Sequence, residues 1–79
     1  MSIPTQINKE VDATGLTCPL PILRAKKALA EMQSGEILKI TATDSGSSND
    51  FPVFAKHTGN DLIAQEKVGD AFVFYFKRR

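Results

Sequence analysis

The sequence predicts an α+β arrangement in which a mixed four-stranded sheet carries two helices on one face. Three observations lead there. The spacing of apolar residues switches between two and three-to-four along the chain, in the order strand, helix, strand, helix, strand, strand. Each of the first two helical stretches separates two strands, so each is a crossover, and a crossover makes its strands parallel neighbours or skips a strand. The last two strands are joined by two residues only, which makes them an antiparallel hairpin. At 79 residues the chain has room for one hydrophobic core, so residues 1–79 are expected to form a single domain.

Residues 1–6 are polar, contain Pro4 and read as a loose lead-in. The first strand is expected over Ile7 to Ala13, with Ile7, Lys9, Val11 and Ala13 on one side and Val11 and Ala13 toward the core. Thr14-Gly15-Leu16-Thr17 is a turn leading to Cys18. A helix follows from Pro19, with Ile22, Ala25, Ala28, Leu29 and Met32 on one stripe and Arg24, Lys27 and Glu31 opposite. Pro19 and Pro21 fit only its first turn, where a missing N–H costs nothing. Ser34-Gly35 is expected to end it, with Gly35 left-handed.

The second strand spans Glu36 to Thr43, with Leu38, Ile40 and Ala42 alternating with Ile37, Lys39 and Thr41. After the polar turn Asp44–Ser48, Ser47 or Ser48 is expected to cap a short helix, with Ser47 to Asp50 as a loose capping box. Phe51, Phe54, Ala55 and Thr58 mark its buried side, Pro52 lies near its start, and Gly59 closes it. The third strand is Asp61 to Val68 and the fourth Ala71 to Lys77, joined at Gly69-Asp70. Phe72, Phe74 and Phe76 share one face of the last strand and read as core. Lys39, Thr41 and Tyr75 are expected on the opposite, partly solvated face.

Composition excludes several classes. Hydrophobic residues are 42% and charged residues 24%, a globular balance rather than a disordered one. The net charge is +1, without the basic excess of a nucleic-acid module. Only Lys77-Arg78-Arg79 clusters positive charge, and it reads as a solubilising end. A single cysteine excludes an internal disulfide framework, and with one histidine a metal site would rest mostly on carboxylates. No apolar run approaches the roughly 20 residues that span a bilayer. The start has neither a basic nor an apolar signal region, so a cytoplasmic protein is expected.

The informative segment is Gly15-Leu16-Thr17-Cys18-Pro19-Leu20-Pro21. An isolated cysteine is commonly a small buried hydrophobe. A loop-to-helix junction between turn residues and two prolines is a poor place to bury one. Cys18 occupies or neighbours the helix N-cap, where free N–H groups and the helix dipole favour an anion. The thiol is therefore expected to ionise below its ordinary value of about 8.5. Pro19, Leu20 and Pro21 form the helix start that supports the thiolate. Arg24 and Lys27 add positive potential further on.

Protease-like chemistry needs a base beside the sulfur. His57 ends the second helix, which runs parallel to the first, so it is expected to lie away from Cys18. Disulfide exchange chemistry normally uses a second cysteine, and none is present. A lone activated thiolate can still accept and donate a group, and sulfane sulfur held as a persulfide needs neither base nor cofactor. Asp44 is expected to fix the turn after the second strand and Asp50 to lie at the start of the second helix. Neither reads as an acid or base. The loop between them should line the Cys18 region.

The segment from Asp12 to Pro21 carries an Asp-x-x-Gly-x-x-Cys-Pro-x-Pro pattern, and Thr43 to Pro52 forms a second characteristic loop. In both, the sequence resembles the TusA/SirA-like sulfur-carrier family, over roughly residues 8–78. The resemblance implies a two-layer sandwich of β-α-β-α-β-β order and a persulfide on Cys18. It implies two protein partners: a sulfur donor, either a cysteine desulfurase or a rhodanese-like protein, and a sulfur acceptor. The pathways it implies are tRNA thiolation, molybdenum-cofactor maturation and sulfur oxidation. Contact with nucleic acid would run through protein partners, no cofactor is needed, and the free protein is expected to be a monomer. Members of the tRNA-thiolation branch can carry an acidic residue between the two prolines, whereas this sequence has Leu20.

Leu20 and Leu23 project away from the buried stripe. They read either as an apolar collar around Cys18, rimmed by Arg24 and Lys27 and docking partners, or as cover for the sheet edge. Two further functions stay open: a redox or regulatory interaction module acting through the Cys18 face, and an RNA-binding domain supported by fold analogy alone.

Overall fold

A computed structural model of the chain describes residues 6–17 and 19–79. Its elements are β1 (Lys9–Ala13), α1 (Leu20–Ala30), β2 (Ile37–Ala42), α2 (Ser47–Thr58), β3 (Asp61–Val68) and β4 (Ala71–Lys77). The strands form one four-stranded sheet in the order β1-β2-β4-β3. β1 pairs parallel with β2, whereas β4 pairs antiparallel with both β2 and β3. The first crossover thus joins neighbours, and the second skips the place that β4 fills. This is the mixed α+β sheet the sequence predicts. The expected lead-in falls outside the described residues except for Gln6.

The core lies between the sheet and the two helices. Leu38, Ile40 and Ala42 from β2 are fully buried, as the alternation of this strand requires. Phe74 and Phe76 from β4 meet Phe51 and Phe54 from α2. The Phe51 ring centre lies 4.5 Å from that of Phe74 and 5.6 Å from that of Phe76. Phe54 meets Phe76 edge-on at 5.7 Å, a favoured aromatic geometry. From α1 come Ala25, Ala28, Leu29 and Met32, with Ile22 half-buried against them. Small residues on this stripe let the helix approach the sheet closely.

Several local expectations are corrected. The first strand starts at Lys9, not Ile7, because the chain bends at Asn8. Ile7 consequently packs on the opposite sheet face from Val11. α1 ends at Ala30, with Glu31 as its C-cap, four residues before Gly35. Gly35, at φ +88°, instead serves the turn that Glu36 closes by donating its N–H to Gln33 O at 3.1 Å, a place that calls for a left-handed residue.

Neither Ser47 nor Ser48 caps α2. Gly46 is the N-cap, and no side chain caps the helix. The Ser48 hydroxyl donates to Ser45 O, and Ser47 is buried, so the capping box does not form. Pro52 lies inside the helix, and Gly59 closes it with its N–H donating to Ala55 O at 2.9 Å.

The open face of the sheet is less solvated than expected. Tyr75 is only 4% exposed and packs with Ala64 and Val73 under Ile7 and Ile63. A register irregularity between Leu62 and Ala64 lets consecutive residues of β3 join this cluster. The basic end is also structural. Arg78 N–H donates to Glu36 O, Arg78 O accepts from Gly35 N–H, and Arg79 N–H donates to the Asn60 side chain.

Candidate functional site

The candidate site is built where β1 runs into α1. The Asp12 carboxylate accepts from the Thr14 N–H at 2.9 Å and from the Thr14 hydroxyl at 2.6 Å, which folds the chain back at the strand end. The Thr14 hydroxyl, then its N–H, hold the Asp12 carboxyl below its ordinary value of 3.8. Leu16 N–H donates to Ala13 O at 3.3 Å. Gly15 takes the left-handed φ of +79°, open to glycine at no steric cost, and its N–H donates to the Thr43 hydroxyl at 2.8 Å.

The helix start follows. Leu20 N–H donates to Thr17 O at 2.9 Å, and Leu23 N–H donates to Pro19 O at 3.1 Å. Pro19 is the N-cap, and no side chain caps it. Cys18, the expected sulfur-bearing residue, lies outside the described residues; in sequence it immediately precedes that cap. Pro21 is fully buried against the core, and Pro19 is exposed. Pro21 therefore sits in the first turn, as its chemistry requires, and Pro19 stands just before it as the N-cap.

Leu20, Leu23, Arg24 and Lys27 fall at helical spacings of three and four on one exposed stripe of α1. Leu20 is 45% and Leu23 52% exposed.

His57 lines one groove with Pro19, Ile22, Asp50, Val53 and Phe54, and its place relative to Cys18 falls outside the described residues. Pro19 and Ile22 from the start of α1 share this groove with α2 residues from its first turn, Asp50, to its last, His57. Asp44 closes its turn through the backbone, its carbonyl accepting from Ser47 N–H at 3.0 Å, while Oδ2 has no partner among the described residues. Asp50 lies in the first turn of α2 as expected. The 43–50 loop reaches the α1 loop through Thr43, a contact that sequence reasoning missed.

Among the described residues no three His, Asp or Glu side chains converge on a metal-sized site, and no helix is long and apolar enough to cross a membrane.

A four-stranded mixed sheet with two helices on one face and a Cys-Pro-x-Pro helix start defines the class of domain. The family model described as Sulfurtransferase TusA matches residues 9–78, and the chain belongs to that family. It is 54% identical over 71 residues to the Sulfur carrier protein TusA of Allochromatium vinosum, covering 90% of this chain and 93% of the relative. It is 45% identical over 71 residues to a putative sulfur carrier protein, YrkI, of Bacillus subtilis, covering 90% and 95%. The crystal structure of a SirA-like protein from Desulfitobacterium hafniense superposes with a TM-score of 0.76 at 28% identity, covering 87% of this chain and 95% of that one.

Proposed function

We propose that this chain is a sulfur carrier that holds sulfane sulfur as a persulfide on Cys18 and passes it from one protein to another. The observation that carries the reading is the family match over residues 9–78, with Cys18-Pro19-Leu20-Pro21 opening α1. The names of the relatives, sulfur carrier proteins, support the same role.

The Cys18 thiolate attacks the outer sulfur of a donor persulfide. A new S–S bond forms at Cys18 as the donor S–S bond breaks, the donor cysteine leaves as a thiolate, and the proton on the outer sulfur travels with it. There is no net oxidation. An acceptor thiolate repeats the exchange, and Cys18 leaves as the thiolate. The rate of each exchange depends on the thiolate fraction of the attacking sulfur and on the leaving-group pKa, so a thiol activated at a helix start suits both roles.

The donor is a cysteine desulfurase or rhodanese-like protein, and the acceptor belongs to tRNA thiolation, molybdenum-cofactor maturation or sulfur oxidation. Leu20 and Leu23, rimmed by Arg24 and Lys27, dock these partners, and their exposure on one stripe supports this. The protein works in the cytoplasm without a cofactor. Replacing the gene with a Cys18→Ser copy separates this role from a regulatory one. A carrier loses all activity in the cell, whereas a module that acts by binding alone keeps it.

A further inference from the structure

We propose that Thr43 is a positioning residue for the loop that delivers Cys18, acting through the N–H of Gly15. The importance of Cys18 itself rests on the sulfur-carrier reading above. The loop between β1 and α1 is held by Leu16, half-buried against the core, and by three sets of hydrogen bonds. The Asp12–Thr14 and Ala13–Leu16 bonds are local, two or three residues apart, and fix the shape of the turn. The Leu20–Thr17 bond couples Thr17 to the first turn of α1. Among the hydrogen bonds of the described residues, only that from Gly15 N–H to the Thr43 hydroxyl, 2.8 Å and 28 residues apart in sequence, ties the loop to a segment distant in sequence.

Thr43 directly follows β2, whose Ala42 pairs with Ala13 at the end of β1. The anchor therefore lies at the end of an inner strand of the sheet. Gly15 adopts the left-handed conformation, and nothing lies within 4 Å of the place a Cβ would take. Gly15 itself is held by its backbone and its hydrogen bond, while Leu16 beside it packs on the core. Only two residues separate Gly15 from Cys18 in sequence, so little chain is available to absorb a shift of the loop.

A reacting atom misplaced by about 1 Å can cost as much as a hundredfold in rate. Thr43→Val removes the acceptor and keeps the shape, and Thr43→Ser restores the acceptor. Two readouts are taken on each folded protein: the alkylation rate of Cys18 by iodoacetamide, and the single-turnover uptake of sulfur from glutathione persulfide. The expected result is that Thr43→Val slows both by about tenfold or more, with the half-saturating persulfide concentration unchanged, and that Thr43→Ser returns both to the wild-type range.

A Thr43→Val protein alkylated as fast as the wild type, or faster, overturns the proposal. So does a loss that Thr43→Ser fails to rescue. Should Thr43→Val fail to fold, hydrogen exchange on the wild-type protein decides: the Gly15 amide must be protected, and exchange at the rate of a free loop amide overturns the proposal. Alkylation does not depend on sulfur carriage. A wild-type protein that takes up no sulfur while its alkylation still responds to Thr43 refutes the carrier reading and leaves the positioning role standing.

Discussion

Arg78 reaches from the end of β4 to the end of α1, where its Nε donates to the carbonyl oxygen of Leu29 at 2.8 Å. The Leu29 carbonyl also accepts from Met32 N–H at 3.1 Å, so Arg78 adds a second, charge-assisted bond, and its cation meets the negative end of the helix dipole. Arg78→Ala is expected to cost about 1–2 kcal/mol. Urea unfolding checks this. The midpoint should fall with the slope unchanged, while the folded variant takes up sulfur at the wild-type rate.

Phe51 is the keystone of the aromatic core, fully buried and in contact with Phe54, Phe74 and Phe76. Removing a buried phenyl ring costs about 3–5 kcal/mol, and small domains have a total stability of only about 5–15 kcal/mol. Phe51→Ala should therefore melt far below the wild type or lose its cooperative transition in calorimetry. Phe51→Leu should retain a cooperative transition.

Tyr75 is the only tyrosine, and the chain has no tryptophan, so phenolate absorbance reports this residue alone. Burial, then the hydrogen bond of its hydroxyl to Glu66 Oε1 at 3.2 Å, raise its ionisation above the ordinary 10.0. The folded state thus binds the phenolic proton more tightly than the unfolded state. The associated stability is fully present below about pH 10 and is lost as the pH rises through the folded value. The titration midpoint should exceed 10.0, and Glu66→Gln should lower it without returning it to 10.0, because burial is the larger cause.

The docking role proposed for α1 separates from its chemistry. Leu23 is 52% exposed, so Leu23→Asp should leave the fold intact. Uptake of sulfur from a small persulfide should be unchanged. Transfer from a protein donor should slow by about tenfold or more, because a charge introduced at the centre of an apolar contact must be desolvated. Equal rates with the protein donor would remove Leu23 from the docking surface.

The sequence carried the fold wherever periodicity met a partner of the same period. Leu38-Ile40-Ala42 and Phe72-Phe74-Phe76 declared their faces, and Pro19 with Pro21 declared the start of α1. What escaped was set by contacts far apart in sequence. Ser47 and Ser48 have the right chemistry for a cap, but Gly46 occupies that place and Ser47 is buried. Gly35 was suited to end α1, but the helix stops earlier and the glycine serves the next turn. Tyr75 has a polar group and an outward register, yet Ile7 and Ile63 cover it. Arg78 resembles any charged tail until Leu29 is placed opposite it. In the site, the motif around Cys18 was legible because its residues are contiguous. Thr43 was not, because its partner lies 28 residues away.

The most direct test is intact-protein mass spectrometry after incubation with a cysteine desulfurase and cysteine, followed by peptide mapping. The account predicts a gain of one sulfur atom on Cys18, reversed by a reducing thiol and abolished in Cys18→Ser. A Cys18→Ser protein that still gains the sulfur, or a wild-type protein that gains none from either a desulfurase or a rhodanese-like donor, would contradict it.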